Sequence, residues 1–185
     1  METSSGNDQN NQKNSDFISN DIMKNLEYLS NRFTNSPDLI VRSFQTKGQE
    51  NVALVFFSCL VDKSSINEDI LRPLMFHMNN TKELFQTEIP LPIGSVQKVS
   101  SWVDIEKAMF RGESVLFVDT ISYALAFCTQ GWPQRAIAEP QIESSLKGGH
   151  QGFVETLEIN LALIRRYITD ENLVLKVHTV GKRSP

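Results

Sequence analysis

The sequence predicts an α/β domain of the α+β type, in which a mixed β-sheet of about four to six strands has helices packed on its faces. Residues 51–61 form a dense apolar run rich in Val and Phe, which is typical of a strand buried on both faces. Residues 115–118 and 123–128 are two further apolar runs separated by a short turn, as in a β-hairpin. Later in the chain, apolar residues recur at helical spacing. With 185 residues, 40% of them hydrophobic, the chain can bury one core.

The N-terminal part predicts a tail followed by a helix. Residues 1–17 are mostly Asn, Gln, Ser, Asp and Gly, and we expect a disordered polar tail, because they offer too little apolar surface to offset the entropy lost on ordering. Residues 18–185 are expected to form a single α/β domain without an evident internal repeat. Ser19 or Asn20 is the expected N-cap of its first helix. The apolar face of that helix is formed by Ile22, Leu26, Leu29 and Phe33.

A hairpin and a second helix follow in the sequence. Residues 39–45 alternate apolar and polar side chains, and a turn at residues 47–49 connects them to the buried strand. Ser65 and Glu68 have the spacing of a capping box, which predicts Ser65 as the N-cap of a helix. Pro73 is expected to kink this helix or to end its regular part, because proline lacks the backbone N–H.

The middle of the chain predicts short elements before the second hairpin. A short helix is expected near residues 82–85 and a short strand within residues 94–99. Ser101 then caps a helix with Asp104 three residues on, and Gly112 closes that helix in the C′ position. Its expected buried face is formed by Trp102, Ile105, Met109 and Phe110.

Charge and composition argue against several classes of protein. The net charge is −4 and no basic patch is present, so nucleic acid is not an expected partner. Cys59 and Cys128 each lie in an apolar run, and we expect buried small side chains in a reducing compartment rather than a disulfide or a metal site. Neither a signal peptide nor an apolar run of ~20 residues is present. This chain by itself is therefore expected to be soluble.

Reactive groups do not converge in the sequence, so we expect no catalysis, no cofactor and no metal. The three histidines are scattered, and none has a ligand-like partner four residues away. No nucleophile elbow, Cys–His pairing or Walker-type phosphate loop occurs. Asp62 follows a strand and is interpreted as a turn residue that accepts backbone hydrogen bonds. The alternative function is a small-ligand-binding α/β domain, or a hydrolase of unrelated type.

The strongest helical pattern of the chain follows a glycine-rich loop. A second apolar strip lies beside the main one, so we expect this helix to pack on two neighbours. Residues 169–172 end the helix, and residues 173–180 are expected to form a strand. The expected buried face consists of Phe153, Leu157, Leu161, Ile164 and Ile168.

The glycine loop, residues 147–152, can place several backbone N–H groups at the N-terminus of this helix, where an anion would bind. Two interpretations stay open. Either Glu139 or Glu143 satisfies those N–H groups, or the carboxylate of an amino-acid ligand or a partner subunit binds there. We expect Arg165 and Arg166 to pair with these glutamates or with a helix terminus rather than with a ligand.

Several residues of this stretch form a longer pattern, namely Glu139-Pro140, Glu143, Gly148, Gly152-Phe153, Glu155, Asn160 and Leu163-Ile164-Arg165-Arg166. The pattern resembles the signature of the A subunit of spore nutrient-germinant receptors, the GerA family. Two positions depart from it, because Lys147 stands where Arg is usual and Gly149 where Pro is usual. The candidate ligand- or partner-binding residues are Glu139, Glu143, Lys147, Gly148, Gly149, Gly152, Arg165 and Arg166.

The resemblance implies a non-enzymatic role. The chain would be the first part of the N-terminal soluble region of such an A subunit, taking part in germinant sensing or signal relay that triggers spore germination. Its implied partners are the receptor's B and C subunits and a small nutrient germinant such as an amino acid, a sugar or an ion. The implied location is the core side of the spore inner membrane. Membrane attachment would come only from a C-terminal region that, like a second soluble subdomain, is missing from this chain.

Overall fold

One β-sheet organises the fold. The computed structural model describes residues 16–34, 36–81, 91–131, 153–176 and 178. The strands of that part are β1 Leu39–Gln45, β2 Asn51–Phe57, β3 Val96–Val99, β4 Glu113–Val118 and β5 Ala124–Cys128. They form a five-stranded sheet in the order β1-β2-β4-β5-β3. The predicted class and number of strands are confirmed, and the sheet, expected to be mixed, is antiparallel at every pairing.

Helices cover both faces of the sheet. They are α1 Ile22–Arg32, α2 with its consecutive segments Lys63–Ser65, Ile66–Leu71 and Arg72–Phe76, α3 Trp102–Phe110, and α4 Leu157–Tyr167. The first face carries α1, α3 and one residue of α4, Ala162. The second face carries α2. Because helices lie on both sides, β4 is buried along its whole length and β2 is buried after its first residue.

The two predicted hairpins are confirmed. β1 pairs with β2 through the turn at residues 47–49, and β4 pairs with β5. Gln49 has a φ of 61°, and a side chain at the neighbouring Gly48 would collide with the carbonyl of Asn79. In the second turn Thr120 has a φ of 69°. A non-glycine residue therefore takes the left-handed conformation that the turn requires.

The second helix begins earlier than predicted. Asp62 is its N-cap, because the Asp62 carboxylate accepts a hydrogen bond of 2.8 Å from the Ser64 N–H. Ser65 lies inside the helix and donates to the Asp69 carboxylate instead, so the predicted capping box is wrong. The interpretation of Asp62 as a turn residue is confirmed. Residues 66–71 form a π-helical turn directly before Pro73, where regular i→i−4 bonding is disturbed.

Helices α1 and α3 each begin at a polar N-cap residue. The N-cap of α1 is Asp21, which accepts a bond from the Met23 N–H, rather than Ser19 or Asn20. The N-cap of α3 is Ser101, as predicted, and its hydroxyl accepts from the Asp104 N–H at 3.2 Å. Gly112 follows α3 with a φ of 84°, which confirms the predicted C′ glycine.

Other predicted features are only partly described. Of the predicted tail, Asp16 and Phe17 belong to the described part, and the Asp16 carbonyl accepts a bond of 2.9 Å from the Trp102 N–H. The predicted short helix near residues 82–85 lies outside the described residues. Both cysteines are free, but Cys128 is exposed and Cys59 is only half-buried, so the expectation that both are buried is wrong. None of the described helices is long and apolar enough to cross a membrane.

Candidate functional site

The C-terminal helix α4 carries the part of the predicted site that the structure describes. The predicted buried face of this helix, which we call the α4 apolar face, consists of Phe153, Leu157, Leu161, Ile164 and Ile168. Its prediction as buried is wrong, because Phe153 is 72% exposed, Leu157 61% and Ile168 47%. The helix instead buries Ala162, Leu163 and Arg165. Among the described residues, α4 contacts the segment before β1 through Arg165 and the start of α2 through Glu158.

Within the described residues, the Asn160 side chain holds the segment that leads into α4. The Asn160 side chain accepts a bond of 2.7 Å from the Val154 N–H and donates one of 2.6 Å to the Val154 carbonyl. The first helical residue is Leu157, and the cap residue Thr156 makes no side-chain cap bond. Four residues thus separate Gly152 from the helix. The glycine loop itself lies outside the described residues, so both interpretations of it stay predictions.

Arg165 forms a buried ion pair with Asp38, which lies 127 residues earlier in the chain, directly before β1. Its Nε lies 2.8 Å from one carboxylate oxygen of Asp38, and its Nη2 lies 3.0 Å from the other. Nη2 also lies 3.1 Å from the Ser36 hydroxyl. The guanidinium carbon lies 4.7 Å from the centre of the Phe57 ring. We call these four residues the Arg165 cluster.

The geometry of this cluster makes it a rigid joint. Arg165 is fully buried and the Asp38 side chain is 4% exposed, so neither charge is screened by water. Two parallel N–H···O bonds fix the orientation of a guanidinium more firmly than a single contact would. Removal of one partner from a buried pair typically costs about 3–5 kcal/mol, because the other charge stays behind without compensation. Helix α4 is thereby tied to the segment between α1 and β1.

Two of the predicted site residues, Arg165 and Arg166, belong to the described part of the chain. Glu139, Glu143, Lys147, Gly148, Gly149 and Gly152 lie outside the described residues. We expected Arg165 to pair with Glu139, Glu143 or a helix terminus. Its Nε and Nη2 atoms bond to Asp38 instead, so for these two atoms the expectation is wrong. Its Nη1 has no hydrogen-bond partner among the described residues. Arg166 is not part of the Arg165 cluster, and it lines a cleft between α3 and the end of α4.

Cys59 extends the buried polar environment around Asp38. Its Sγ lies 3.8 Å from Oδ2 of Asp38. Burial, and after it the negative charge of Asp38, raise the pKa of the Cys59 thiol to about 12. The thiol is therefore protonated at neutral pH and is a poor nucleophile. Among the described residues, no group of His, Cys, Asp and Glu side chains could hold a metal ion.

The cleft beside Arg166 has a volume of about 610 Å³ and contains both signs of charge. Two of its lining residues pair with Arg32 of α1, whose Nε lies 3.0 Å from Glu106 and whose Nη2 lies 3.1 Å from Glu171. The hydrogen bond to Glu106 raises the pKa of Arg32. These pairs tie α1, α3 and the segment after α4 together. The cleft is lined by Val103, Glu106, Lys107, Phe110, Arg111, Gln130, Arg166, Thr169 and Glu171.

Asp38 and Ser36 are site residues that the sequence does not reveal. Asp38 follows Pro37 directly before β1, where an acidic residue is common in an exposed turn. Its partner lies 127 residues away in the chain. The only local signal is an acid immediately before an apolar strand, which does not distinguish a buried ion-pair partner from a solvated turn residue.

Comparison with known proteins assigns the chain to a family. A family model described as Bacillus/Clostridium GerA spore germination protein matches residues 27–185. The chain belongs to this family. The resemblance that the sequence shows is therefore confirmed. The matched residues include Asp38, Asn160 and Arg165, so the joint described above lies inside the GerA region.

Several GerA-type relatives are longer than this chain. Spore germination protein KA of Bacillus subtilis (strain 168) is 35% identical over 162 residues, which are 85% of this chain and 30% of that protein. Spore germination protein GerLA of Bacillus cereus is 29% identical over 151 residues, which are 80% of this chain and 31% of that protein. The chain thus spans about a third of the length of the two relatives.

A solved structure has the same fold. It is the N-terminal domain of the A subunit of the Bacillus megaterium spore germinant receptor GerK3, with a TM-score of 0.63 and 23% sequence identity. The match covers 91% of this chain and 62% of that chain. At this level of identity the likeness shows the fold alone. The remaining part of the solved chain lies outside the match.

Proposed function

We propose that this chain is part of the N-terminal soluble region of the A subunit of a spore nutrient-germinant receptor. The observation that carries the proposal is the GerA match over residues 27–185. The likeness of the fold to the N-terminal domain of a germinant-receptor A subunit supports it. In this role the chain takes part in germinant sensing or signal relay, without catalysis. Its partners are the B and C subunits, and it lies on the core side of the spore inner membrane.

The relay mechanism that we propose is a change in the position of packed elements. A ligand or a neighbouring subunit can shift such a receptor only by binding one of its two states more tightly than the other. The Arg165 cluster supports a rigid connection from α4 to the segment before β1, because buried bidentate pairs keep a fixed geometry. The glycine loop, residues 147–152, is the part that we assign to the moving region.

The glycine loop can be tested in the complete receptor. We expect Gly148→Ala and Gly149→Pro to alter the rate or the nutrient dependence of spore germination, because both restrict the backbone of the loop. Gly94→Ala is the matched control, since a methyl group there meets no atom within 4 Å. Germination is measured as the loss of optical density, and receptor levels are measured by immunoblotting. Wild-type germination of both loop variants at normal receptor levels would show that the loop has no role.

The receptor assignment needs a test that is independent of the loop. We expect the complete subunit to copurify with B and C subunits from spore membranes. We expect the isolated chain to turn over none of a panel of amino acids, sugars and nucleotides. Saturable binding together with turnover of any one of these would favour the alternative, an unrelated ligand-binding domain or hydrolase.

A further inference from the structure

The two edge strands of the sheet differ in how they are protected against pairing with a further strand. Natural edge strands are usually very short, bulged, or interrupted by Lys or Pro, because their free N–H and C=O groups would otherwise bind another strand. β3 has four residues and contains Lys98. β1 has seven residues without Lys or Pro, and its register with β2 is continuous from Leu39 to Gln45. The β1 edge therefore has none of these protections, and its Ile40 and Val41 side chains are exposed.

The outer side of β1 presents backbone groups to a possible partner strand. At one end of β1 the Ser58 N–H donates to the Asp38 carbonyl at 2.8 Å. At the other end the Thr46 N–H donates to the Glu50 carbonyl at 3.0 Å. Since successive residues of an antiparallel strand bond to alternate sides, the even-numbered residues of β1 face β2. The residues whose backbone groups point outward, where no described strand pairs with them, are Val41, Ser43 and Gln45.

A groove lies beside this edge, between the end of β1 and the start of α1. We call it the α1–β1 groove, and its volume is about 460 Å³. Its wall on the side of α1 consists of Ile22, Met23 and Leu26, and Met23 is 69% exposed. Ser43 and Gln45 line it on the side of β1. A strand added to β1 would therefore place every second side chain against an apolar helix surface.

The α1–β1 groove has an acidic end. Asp21 and Asp119 both line it, and no Lys or Arg of the described chain does. Lys24 approaches Asp21 only to 4.0 Å, in an exposed pair. The Asp119 N–H donates to the Asn51 carbonyl at 3.0 Å, and Asn51 lies opposite Gln45 in the sheet. The acidic end is therefore the one beside Gln45.

We propose that the α1–β1 groove binds an extended segment of a partner protein, which adds to the outer edge of β1 as a further antiparallel strand. Every pairing within the sheet is antiparallel, and this direction places the N-terminal end of the segment beside Gln45. A basic residue there meets Asp21 and Asp119. Apolar residues opposite Ser43 and Gln45 fill the groove. An acidic residue opposite Arg42 pairs with it on the other face of the strand.

The β1 edge itself argues against a second copy of this chain as the occupant. If two copies of β1 paired antiparallel over their full length, Leu39 would lie opposite Gln45, and the two Arg42 side chains would lie directly opposite each other. Like charges in that position destabilise a strand pair. The chemistry of the groove comes from side chains of this domain alone, so the inference does not depend on the receptor assignment.

A synthetic peptide tests the proposal with the 185-residue chain. The probe is Lys-Val-Thr-Val-Glu-Val-Thr with a fluorophore at its C-terminus, which places valine opposite Gln45 and Ser43 and glutamate opposite Arg42. The matched control peptide is Glu-Val-Thr-Val-Lys-Val-Thr, in which the two charges are exchanged and the composition is unchanged. Fluorescence anisotropy measures binding, and hydrogen exchange measures the protection of the backbone amides.

We expect saturable binding of the probe, and an affinity for the control peptide that is lower by at least about tenfold, because the exchange brings like charges together at both positions. The bound probe should slow the exchange of the amides of Val41, Ser43 and Gln45. Failure of the probe to bind the folded chain would overturn the proposal, and so would equal binding of the two peptides.

Variants of the chain separate pairing with the β1 edge from unspecific apolar binding. Ser43→Pro removes one outward N–H but no bond to β2, so the probe should bind at least about tenfold more weakly. Ser43→Thr keeps that N–H and should bind like the wild type. Met23→Lys serves in case Ser43→Pro does not fold, because it changes an exposed side chain and repels the lysine of the probe. Unchanged binding in either folded variant, as judged by circular dichroism, would contradict the proposal.

The state of association of the chain provides the remaining outcome. Analytical ultracentrifugation of the wild type and of Met23→Lys at several protein concentrations measures it. Self-association of the wild type that Met23→Lys abolishes would overturn the proposal in favour of a second copy. Equal sedimentation of the two proteins, together with binding of the probe by the wild type, supports a partner segment.

Discussion

The buried charge of Arg165 makes Asp38 one of the most sensitive single positions of this domain. Asp38→Asn removes the counter-charge, while the guanidinium stays buried against Phe57. We expect the free energy of unfolding to fall by about 3–5 kcal/mol, because an uncompensated buried charge is costly. Urea denaturation followed by circular dichroism measures the loss.

The control for this substitution is another ion pair of the same helix. Glu158 lies 3.3 Å from Lys63, and both side chains are more than half exposed. Glu158→Gln should have only a small effect, because an exposed pair is screened by water. If Asp38→Asn were as mild as Glu158→Gln, the Arg165 cluster would not be a joint that matters for stability.

The thiol of Cys59 reports on the same environment. Its pKa of about 12 lies above the ordinary value of 9.0. Between these two pH values the thiol keeps its proton in the folded chain and loses it in the unfolded chain. Below pH 9 the thiol is protonated in both states and adds no pH dependence. As the pH rises from about 9 toward 12, only the unfolded state is deprotonated, so stability should fall over that range.

Thiol reactivity provides the measurement. In a Cys128→Ser background, we expect Cys59 to react slowly with maleimide at pH 8 and progressively faster at higher pH, because the thiolate is the nucleophile. Asp38→Asn should accelerate the reaction, since it removes a negative charge that raises the pKa and leaves the charge of Arg165 nearby, which lowers it. An unchanged rate in Asp38→Asn would contradict this assignment.

The end of α3 depends on a backbone conformation rather than on a contact. Gly112 has a φ of 84° and connects α3 to β4. Gly112→Ala should lower the free energy of unfolding by roughly 1–2 kcal/mol, because a Cβ is strained in that region. Gly94→Ala is the control, and it should be nearly neutral because nothing lies within 4 Å of the added methyl group. Thermal melts that fail to separate the two variants would count against this account of the helix end.

The elements that could be predicted from the sequence are those with strong local signals. The two hairpins, the Ser101 cap and the Gly112 helix end all follow from alternation or cap chemistry within a few residues. The prediction of Ser65 as the N-cap is wrong because Asp62, three residues earlier, caps the helix by accepting a hydrogen bond from the Ser64 N–H. A capping box shows that a helix starts nearby, but it does not show which polar residue the chain uses.

The site was less predictable because its contacts are distant in the chain. Arg165 is a predicted site residue on the signature helix, but its partner Asp38 has no sequence signal that links the two. The burial of the α4 apolar face was wrong for a different reason. Helical spacing shows that a face is apolar, and it does not show whether another element covers that face.

The Arg165 cluster, which connects α4 to the rest of the domain, can be tested for a role in signalling in the complete receptor. Arg165→Lys keeps the charge but loses the bidentate geometry, so α4 remains attached with a looser orientation. If the domain relays a signal through this joint, spores with Arg165→Lys should contain the receptor at normal levels and germinate with a shifted nutrient dependence. Spores with Glu158→Gln, on the same helix but in an exposed pair, should germinate like the wild type.

The measurement is a nutrient titration of germination in the two variants, with immunoblots for receptor level. A joint that only stabilises the fold would lower the receptor level and the extent of germination together, and the nutrient concentration for half-maximal response would stay the same. A joint that relays the signal would shift that concentration while the level is unchanged, because the substitution alters the relative energies of two arrangements of α4. Unchanged titrations in Arg165→Lys spores with a normal receptor level would exclude the Arg165 cluster from signalling and leave it as a structural contact.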